Sequence, residues 1–380
     1  MLKPAPGEPQ ADLASRGADG NFEPSPSRSI GVAQVDAIFP ANVVAEIFES
    51  WRKTRKILLA VSGGPDSVAM MLLAAEWTRF PGAPLLFVAT VDHGLRKESR
   101  LEAEQVARWS AALGLPHKLL AWNSTSVKTR IQERAREARY ELLFAHAAEI
   151  GADIVATAHH ADDQAETILF RLLRGSGLGG LSGMAASQRL EGVTLSRPLL
   201  QTTKAELIAL CEAKGHPFFD DPSNRDPAFA RARLRGLSGF LAEQGLDRRA
   251  LLRLGRRAAR AEAALAHYAA AAGADVPAIR DENRLSLDLN WLADRPEEVF
   301  LRVLAEEIRN LVDRSRILRL ERLEALTLEL RRALMAGEAF SATLGGCRLR
   351  LGRDGALVIA VETERRRGFA KTRAEPCVKS

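Results

Sequence analysis

Short, nearly unbroken apolar blocks punctuate the first half of the chain, and apolar residues spread to helical spacing between them. Ile57–Val61, Leu85–Val91, His117–Ala121 and Ile154–Thr157 are rich in Leu, Ile, Val and Ala. Blocks of this kind predict strands covered on both faces, as in a parallel sheet. The intervening stretches Ser67–Trp77, Leu101–Leu113 and Thr129–Ile150 predict helices. From about 38 to 240 this alternation predicts βαβ units in a Rossmann-like α/β fold. The Arg174–Gly183 run, with its Gly and Ser residues, predicts a mobile loop and not a helix. Beyond about 240 the pattern changes to Ala/Leu/Arg helices. A hairpin is then predicted, with Arg348–Leu351 and Ala356–Val361 flanking Gly352-Arg353-Asp354-Gly355. The expected division is an extension at 1–37, an α/β domain at 38–240, a mostly helical region with a C-terminal hairpin at 241–364, and a basic tail at 365–380.

Composition adds a few bounds. A chain of 380 residues has room for two domains, the first large enough for a substantial core. No apolar run approaches the ~20 residues that span a bilayer. Residues 1–37 carry much Pro, Gly, Ser and Asp and read as disordered, with neither a signal-peptide core nor the acid-poor character of a transit peptide. The three cysteines, Cys211, Cys347 and Cys377, are scattered and suggest neither a disulfide framework nor a metal site, so a reducing cytoplasm is expected. Lys and Arg number 54 against 48 Asp and Glu, a net +6 that points mildly to a polyanionic partner.

The candidate chemistry starts at Ser62-Gly63-Gly64-Pro65-Asp66-Ser67, between the first strand and the first helix. Two glycines allow a tight turn and close approach of a ligand to backbone. The helix start aims unpaired N–H groups at an anion. Ser62 and Ser67 add hydroxyl donors, and Asp66 adds a carboxylate suited to Mg2+. No Lys stands where a Walker loop carries one, so this is a different phosphate loop, or else an ordinary glycine turn. In such sheets ligands bind beyond the carboxyl ends of the strands. The loop, Val91-Asp92-His93-Gly94 and Thr157-Ala158-His159-His160 all fall at such ends and are expected to share one crevice. Asp162, Asp163 and Glu166 follow at helical spacing, either complementing a helix N-terminus or binding a metal or a cationic amine.

The loop resembles the PP-loop of the N-type ATP pyrophosphatases, which cleave ATP between the α and β phosphates. The segment Thr157–Met184 is similar to a run in the tRNA(Ile)-lysidine synthetases, TAHHxDDQAETxLxRLxRGSGxxGLxGM. Asp92-His93-Gly94-Leu95-Arg96, Ala135–Tyr140, Arg197-Pro198-Leu199-Leu200 and Asp221-Pro222-Ser223-Asn224 match that family's DHGLR, ARxxRY, RPLL and DPSN segments. The resemblance covers about residues 55–237, in the right order. One departure stands out: Ala232 occupies the place of an Asn in the family's RNRIR, while Arg231, Arg233 and Arg235 remain.

The resemblance implies an adenine nucleotide alpha hydrolase-like catalytic domain and a reaction in two steps. ATP adenylates O2 of the wobble cytidine C34 in the CAU anticodon of tRNA(Ile), and the amine of free lysine then displaces AMP at C2. The implied nucleotide contacts are Ser62, Gly63, Gly64, Pro65, Asp66, Ser67, Asp92 and His93, with Asp66 also near Mg2+. Catalysis would fall to Asp66, His160, Asp163 and Glu166. The implied substrate or tRNA contacts are Arg136, Arg139, Arg231 and Arg235. Arg136, Arg139 and Tyr140 equally suit a surface-helix charge pair beside a buried ring, and His93 a structural role. Arg253 and Arg256, in a stripe with Arg249, Arg257 and Arg260, suit either a phosphate backbone or a solvated helix face. Arg314, Arg316, Arg319 and Arg322 form a weaker stripe. The loop at 175–183 is a candidate lid over the adenylate, or a plain connector. The implied partners are tRNA(Ile), free lysine and no membrane, and the resemblance allows a homodimer. Two other readings remain: a PP-loop tRNA thiolase, which needs catalytic cysteines and finds none near the motifs, and an RNA-binding protein with a relic nucleotide fold.

Overall fold

Strand β1 (Lys56–Ala60) lies at the centre of a six-stranded sheet, and its residues alternate between two apolar layers. Ile57 and Leu59, with Val61 just beyond, enter the layer on one face, while Leu58 and Ala60 enter the other. Because both layers are dry, the strand reads as a continuous apolar run. The computed structural model describes residues 38–92, 94, 98–122, 131–190, 192–220, 230–312 and 318–362, with backbone alone at 98, 131–133, 230–235 and 238. The expected extension at 1–37, the tail at 365–380, His93, Leu95, Arg96, residues 221–224, Arg314, Arg316 and Cys377 lie outside the described residues. The side chains of Arg231 and Arg235 do too.

The described residues form two compact units. One lies within Met1–His160 and Ser187–Pro222, the other within Ala161–Ala186 and Ser223–Ser380. The expected boundary at 240 differs from this partition, because the acidic helix and the glycine-rich segment pack with the later part of the chain.

In the first unit, β2 (Leu85–Asp92), β3 (His117–Ala121), β4 (Ile154–Ala156) and β6 (Val193–Ser196) run parallel to β1. β5 (Ser187–Leu190) closes one edge antiparallel to β6. The order β3-β2-β1-β4-β6-β5 puts the reversal of winding at β1 and β4, where a ligand crevice is expected. Helix α1 (Ala41–Ile47), a 3-10 turn (Glu49–Trp51), α2 (Pro65–Trp77), α3 (Glu98–Ala112), α4 (Ile131–Ile150) and α7 (Lys204–Ala213) complete the unit. Phe48, Trp51 and Trp77 pack ring to ring, with centroids 4.5, 5.4 and 6.2 Å apart. Each such contact adds about 0.5–1.5 kcal/mol beyond area burial. Trp51 Nε1 donates to Ser196 Oγ at 2.9 Å, so the buried indole proton is satisfied and the 3-10 turn is tied to β6.

The second unit begins with α5 (Ala161–Leu172) and the short α6 (Leu178–Leu181), which contact the long α9 (Arg248–Ala274). Helix α8 (Ala230–Glu243) precedes α9. Gly255 of α9 is buried, and a Cβ there would sit 2.5 Å from Ile168 Cδ1; this is what lets α5 approach so closely. Helices α10 (Glu297–Leu311) and α11 (Leu320–Ala336) pack with a five-stranded antiparallel sheet of order β7-β8-β11-β10-β9. Its strands are β7 (Ala278–Asp281), β8 (Arg284–Asp288), β9 (Phe340–Leu344), β10 (Cys347–Leu351) and β11 (Ala356–Val361). The predicted hairpin is β10–β11. The other three strands were not anticipated: β7 is exposed throughout, whereas β8 and β9 alternate apolar and polar residues, a legible period of two. Arg302 bridges two helices, pairing with Glu262 of α9 at 2.7 Å and with Glu298 of its own helix at 2.8 Å. The Arg302 hydrogen bonds hold the Glu262 carboxyl below its usual range.

Candidate active site

The six-residue loop leaves the carboxyl end of β1 and starts α2 with Pro at its first position, where a missing N–H costs nothing. Gly63 has φ +90°, a region that favours glycine. A Cβ at Gly63 would lie 2.7 Å from Phe219 Cδ2 and 3.1 Å from Val106 Cγ2. Phe219 also donates its N–H to Gly63 O at 2.9 Å, so the loop is clasped from behind by the segment after α7. Ser62 is exposed at the turn, as a phosphate donor should be. Ser67 is buried; its Oγ accepts from Ser62 N at 3.1 Å and donates to Gly64 O at 3.0 Å. Its hydroxyl shapes the loop.

Asp66 is held in the first turn of α2. Its Oδ2 lies 3.6 Å from His160 Nε2, and its Oδ1 is buried without a hydrogen-bond partner among the described residues. A buried carboxylate oxygen left this way is costly unless something binds it. His160 is buried just beyond the carboxyl end of β4, and His159 Nδ1 lies 2.9 Å from Thr157 Oγ1. Asp92 ends β2, with Oδ1 accepting from Gly94 N at 2.9 Å. The loop, Asp92 and His160 thus meet at the carboxyl ends of adjacent strands β2, β1 and β4, as expected.

The structure adds Arg197, which sequence reasoning did not single out as a site residue. It follows the carboxyl end of β6, is buried, and hydrogen-bonds Tyr140. Arg136 stacks its guanidinium 5.4 Å from the centre of the Tyr140 ring, and Arg139 is the residue before it. Burial lowers the pKa of Arg139 and of Arg197, with Tyr140 opposing and Arg136 reinforcing the shift in both. Arg136 is exposed and Arg139 half-buried, and both belong to a basic group around one ring. The available signal for Arg197 was an Arg directly after a buried strand, within the RPLL match.

Asp163 and Glu166 lie on α5 of the second unit, three and six residues after His160 in the chain. Both are half-buried and one turn apart. Asp162 is drawn off by Arg248 Nη1 at 2.7 Å. Gln164 clasps Met184 through two backbone hydrogen bonds of 2.9 and 2.7 Å, and Arg171 Nη1 donates to Gly180 O and Gly183 O. These bonds pin the glycine-rich segment, which contains the helical turn α6 where a mobile loop was expected. Local composition favoured a loop; long side chains from α5 supplied the order. Arg253 and Arg256, with Arg249, Arg257 and Arg260, are exposed on α9.

One expectation about cysteine is corrected. Cys211 lies beside the loop, its Sγ donating to Pro65 O at 3.6 Å. Burial, with Asp66 and Glu212 nearby, pushes its thiol up to about 12. A buried thiol held neutral is packing behind the loop, not a nucleophile. Cys347 is buried in the core of the second unit.

A family model described as PP-loop domain, ATP_bind_3, matches residues 39–237. The chain is 50% identical over 314 residues to the tRNA(Ile)-lysidine synthase of Methylobacterium sp. (strain 4-46), covering 82% of this chain and 90% of that protein. It is 48% identical over 318 residues to the tRNA(Ile)-lysidine synthase of Methylobacterium nodulans, covering 82% and 92%. With the enzyme of the same name from Bradyrhizobium diazoefficiens, identity is 45% over 307 residues, covering 79% and 84%.

Proposed function

The chain belongs to the tRNA(Ile)-lysidine synthase family, and we propose from that premise how its residues divide the work. It is a ligase that joins free lysine to C34 of tRNA(Ile) at the expense of ATP. The observation that carries the division of labour is the half-buried Asp66 carboxylate, its Oδ1 buried and unpartnered among the described residues, beside His160 in a phosphate loop at the β1–β4 reversal.

In the first step the cytidine O2 attacks the α-phosphorus of ATP and pyrophosphate leaves. Negative charge grows on the leaving oxygen, opposite the N–H groups of the loop and the first turn of α2. The Ser62 hydroxyl adds a donor there, while Ser67 and Phe219 keep the loop in shape. Asp66 Oδ1 fits Mg2+, an ion that takes one or two protein carboxylates together with substrate phosphates. Bound there, the ion would neutralise pyrophosphate charge. Asp92 sits where it can contact adenosine. Burial desolvates Arg139 and Arg197, and with the exposed Arg136 beside them they form a cationic group suited to a phosphate of the substrate.

In the second step the lysine amine attacks C2 and AMP leaves with the former O2. The amine must first lose a proton, and Asp163, Glu166 and His160 are the groups assigned to hold and deprotonate it. The second unit is the assigned tRNA-binding region. The exposed α9 arginines suit a phosphate backbone, and Arg231 and Arg235 belong to the same assignment. Replacing Arg253 and Arg256 together with Ala is expected to weaken tRNA binding and to lower its salt slope by about 1 to 2. The ATP KM should not move. Filter binding across a salt series checks this, and an unchanged slope returns that helix to a merely solvated face. Among the described residues no helix is long and apolar enough to cross a membrane. A reducing cytoplasm fits the buried free thiols Cys211 and Cys347.

The test is incubation of the purified chain with ATP, Mg2+, labelled lysine and an unmodified tRNA(Ile) transcript. Label is expected in the C34 transcript only, and only with ATP. Label in a C34→U transcript would contradict the assignment of substrate.

A further inference from the structure

A cavity of about 400 Å³ opens in the first unit beside β4, β6 and β5. Lys53, Thr54 and Asp153 line it at the amino ends of β1 and β4, opposite the PP-loop, and Ser196, paired with Ser187, lines it at the carboxyl end of β6. Asp153, on its wall, directly precedes β4 and donates its N–H to Lys56 O at the start of β1. The loop leaves the far end of that five-residue strand, roughly 16 Å away at strand rise. The Lys53 and Asp153 wall is therefore remote from the PP-loop, while Ser196 directly precedes Arg197.

Its lining has a definite chemistry. The β5–β6 pairing sets Ser187 opposite Ser196 and Arg189 opposite Thr194, and all four side chains line the cavity. Lys53, from the segment after the 3-10 turn, lines it as well. Lys53 and Arg189 are exposed, and neither makes an ion pair among the described residues. The Ser196 Oγ accepts the Trp51 indole proton, which leaves its own proton free to donate. Against these stands one acid, Asp153. Its Oδ2 is taken by Arg55 N at 2.8 Å and Lys56 N at 3.3 Å, and the Arg55 bond leads in holding its carboxyl below the usual range. Two unpaired cations and a floor of hydroxyl groups remain for a ligand, in a volume within the small-ligand range. No aromatic side chain lines it, so nothing there would stack on a base.

We propose that this cavity is a second anion site, taking a phosphate group through Lys53, Arg189 and the hydroxyls of Ser187, Thr194 and Ser196. The phosphate would come either from a free phosphorylated metabolite or from the backbone of bound RNA, and the experiment separates the two. The proposal does not depend on the assigned catalytic residues.

The probe is inorganic phosphate, titrated by calorimetry into the full chain with the PP-loop filled by saturating α,β-methylene-ATP. Saturable millimolar binding is expected, weakened at least tenfold in the Lys53→Ala/Arg189→Ala double variant and retained in Lys53→Arg. The ATP KM should be the same in all three proteins. In parallel, the salt slope of tRNA binding is measured for wild type and double variant. A fall of about 1 to 2 identifies RNA backbone as the source, and an unchanged slope with lost phosphate binding identifies a free metabolite. Equal phosphate binding by wild type and double variant, with an unchanged slope, overturns the proposal.

Discussion

Replacing Asp66 with Asn is expected to lower lysidine formation about 100- to 1,000-fold, the usual loss when a group stabilising transition-state charge is removed. The fold should not suffer. Asp66 Oδ1 is buried and unpartnered among the described residues, so the native carboxylate is held at a cost that Asn removes in part. Thermal stability of the ligand-free protein should therefore stay level or rise, the trade-off seen where function keeps a strained or desolvated group. The two readouts together are diagnostic. Lost activity with kept stability, and a lost Mg2+ dependence of ATP binding, would place the carboxylate at the nucleotide. Lost activity with a large fall in Tm would make Asp66 a structural residue, acting through its contact with His160.

The second large effect belongs to Gly63→Ala. A side chain at φ +90° costs about 1–3 kcal/mol. The added Cβ would also meet Phe219 Cδ2 at 2.7 Å. Phe219 is not free to yield, since its ring packs 5.2 Å from Trp109 and its N–H is bonded to Gly63 O. The loop must shift instead, which displaces Ser62 and the N–H groups facing the phosphates. The expected result is a Tm several degrees lower and an ATP KM raised at least about tenfold, each 1.4 kcal/mol of lost binding being tenfold. A companion Phe219→Leu change should restore part of the stability by relieving the clash, and not all of it, because the backbone strain remains. Wild-type ATP affinity in Gly63→Ala would sink the view that this glycine sets the loop.

Much of this was legible in the chain itself. β1, β2 and β4 are short apolar runs that local pattern marks without ambiguity, while β3, at the sheet edge, begins with His and Lys and is only partly buried. The glycine-rich turn between β1 and α2 follows from spacing alone, as does the β10–β11 hairpin with its Gly-Arg-Asp-Gly turn. Asp92 and His160 were placed at strand ends by the same logic. β5 and β7 escaped because an exposed edge strand has no burial to imprint on its residues, whereas β8 and β9 carry a period of two that half-burial left in them.

The sequence by itself determined the parallel sheet, the phosphate loop and its place beside Asp92 and His160, and the arginine stripe of α9. These rest on periodicities and turns a few residues long, where local sterics and burial decide the outcome. The tertiary structure decided which groups are spent and which are spare. Ser67 turns inward to the loop, Cys211 is buried behind Pro65, and Asp162 is engaged by Arg248. Arg197 joins Arg136 around Tyr140, and Gln164 and Arg171 order a segment whose composition favours disorder. Most of these depend on a partner distant in the chain or on the low dielectric of a packed interior. Neither is written in the spacing of nearby residues.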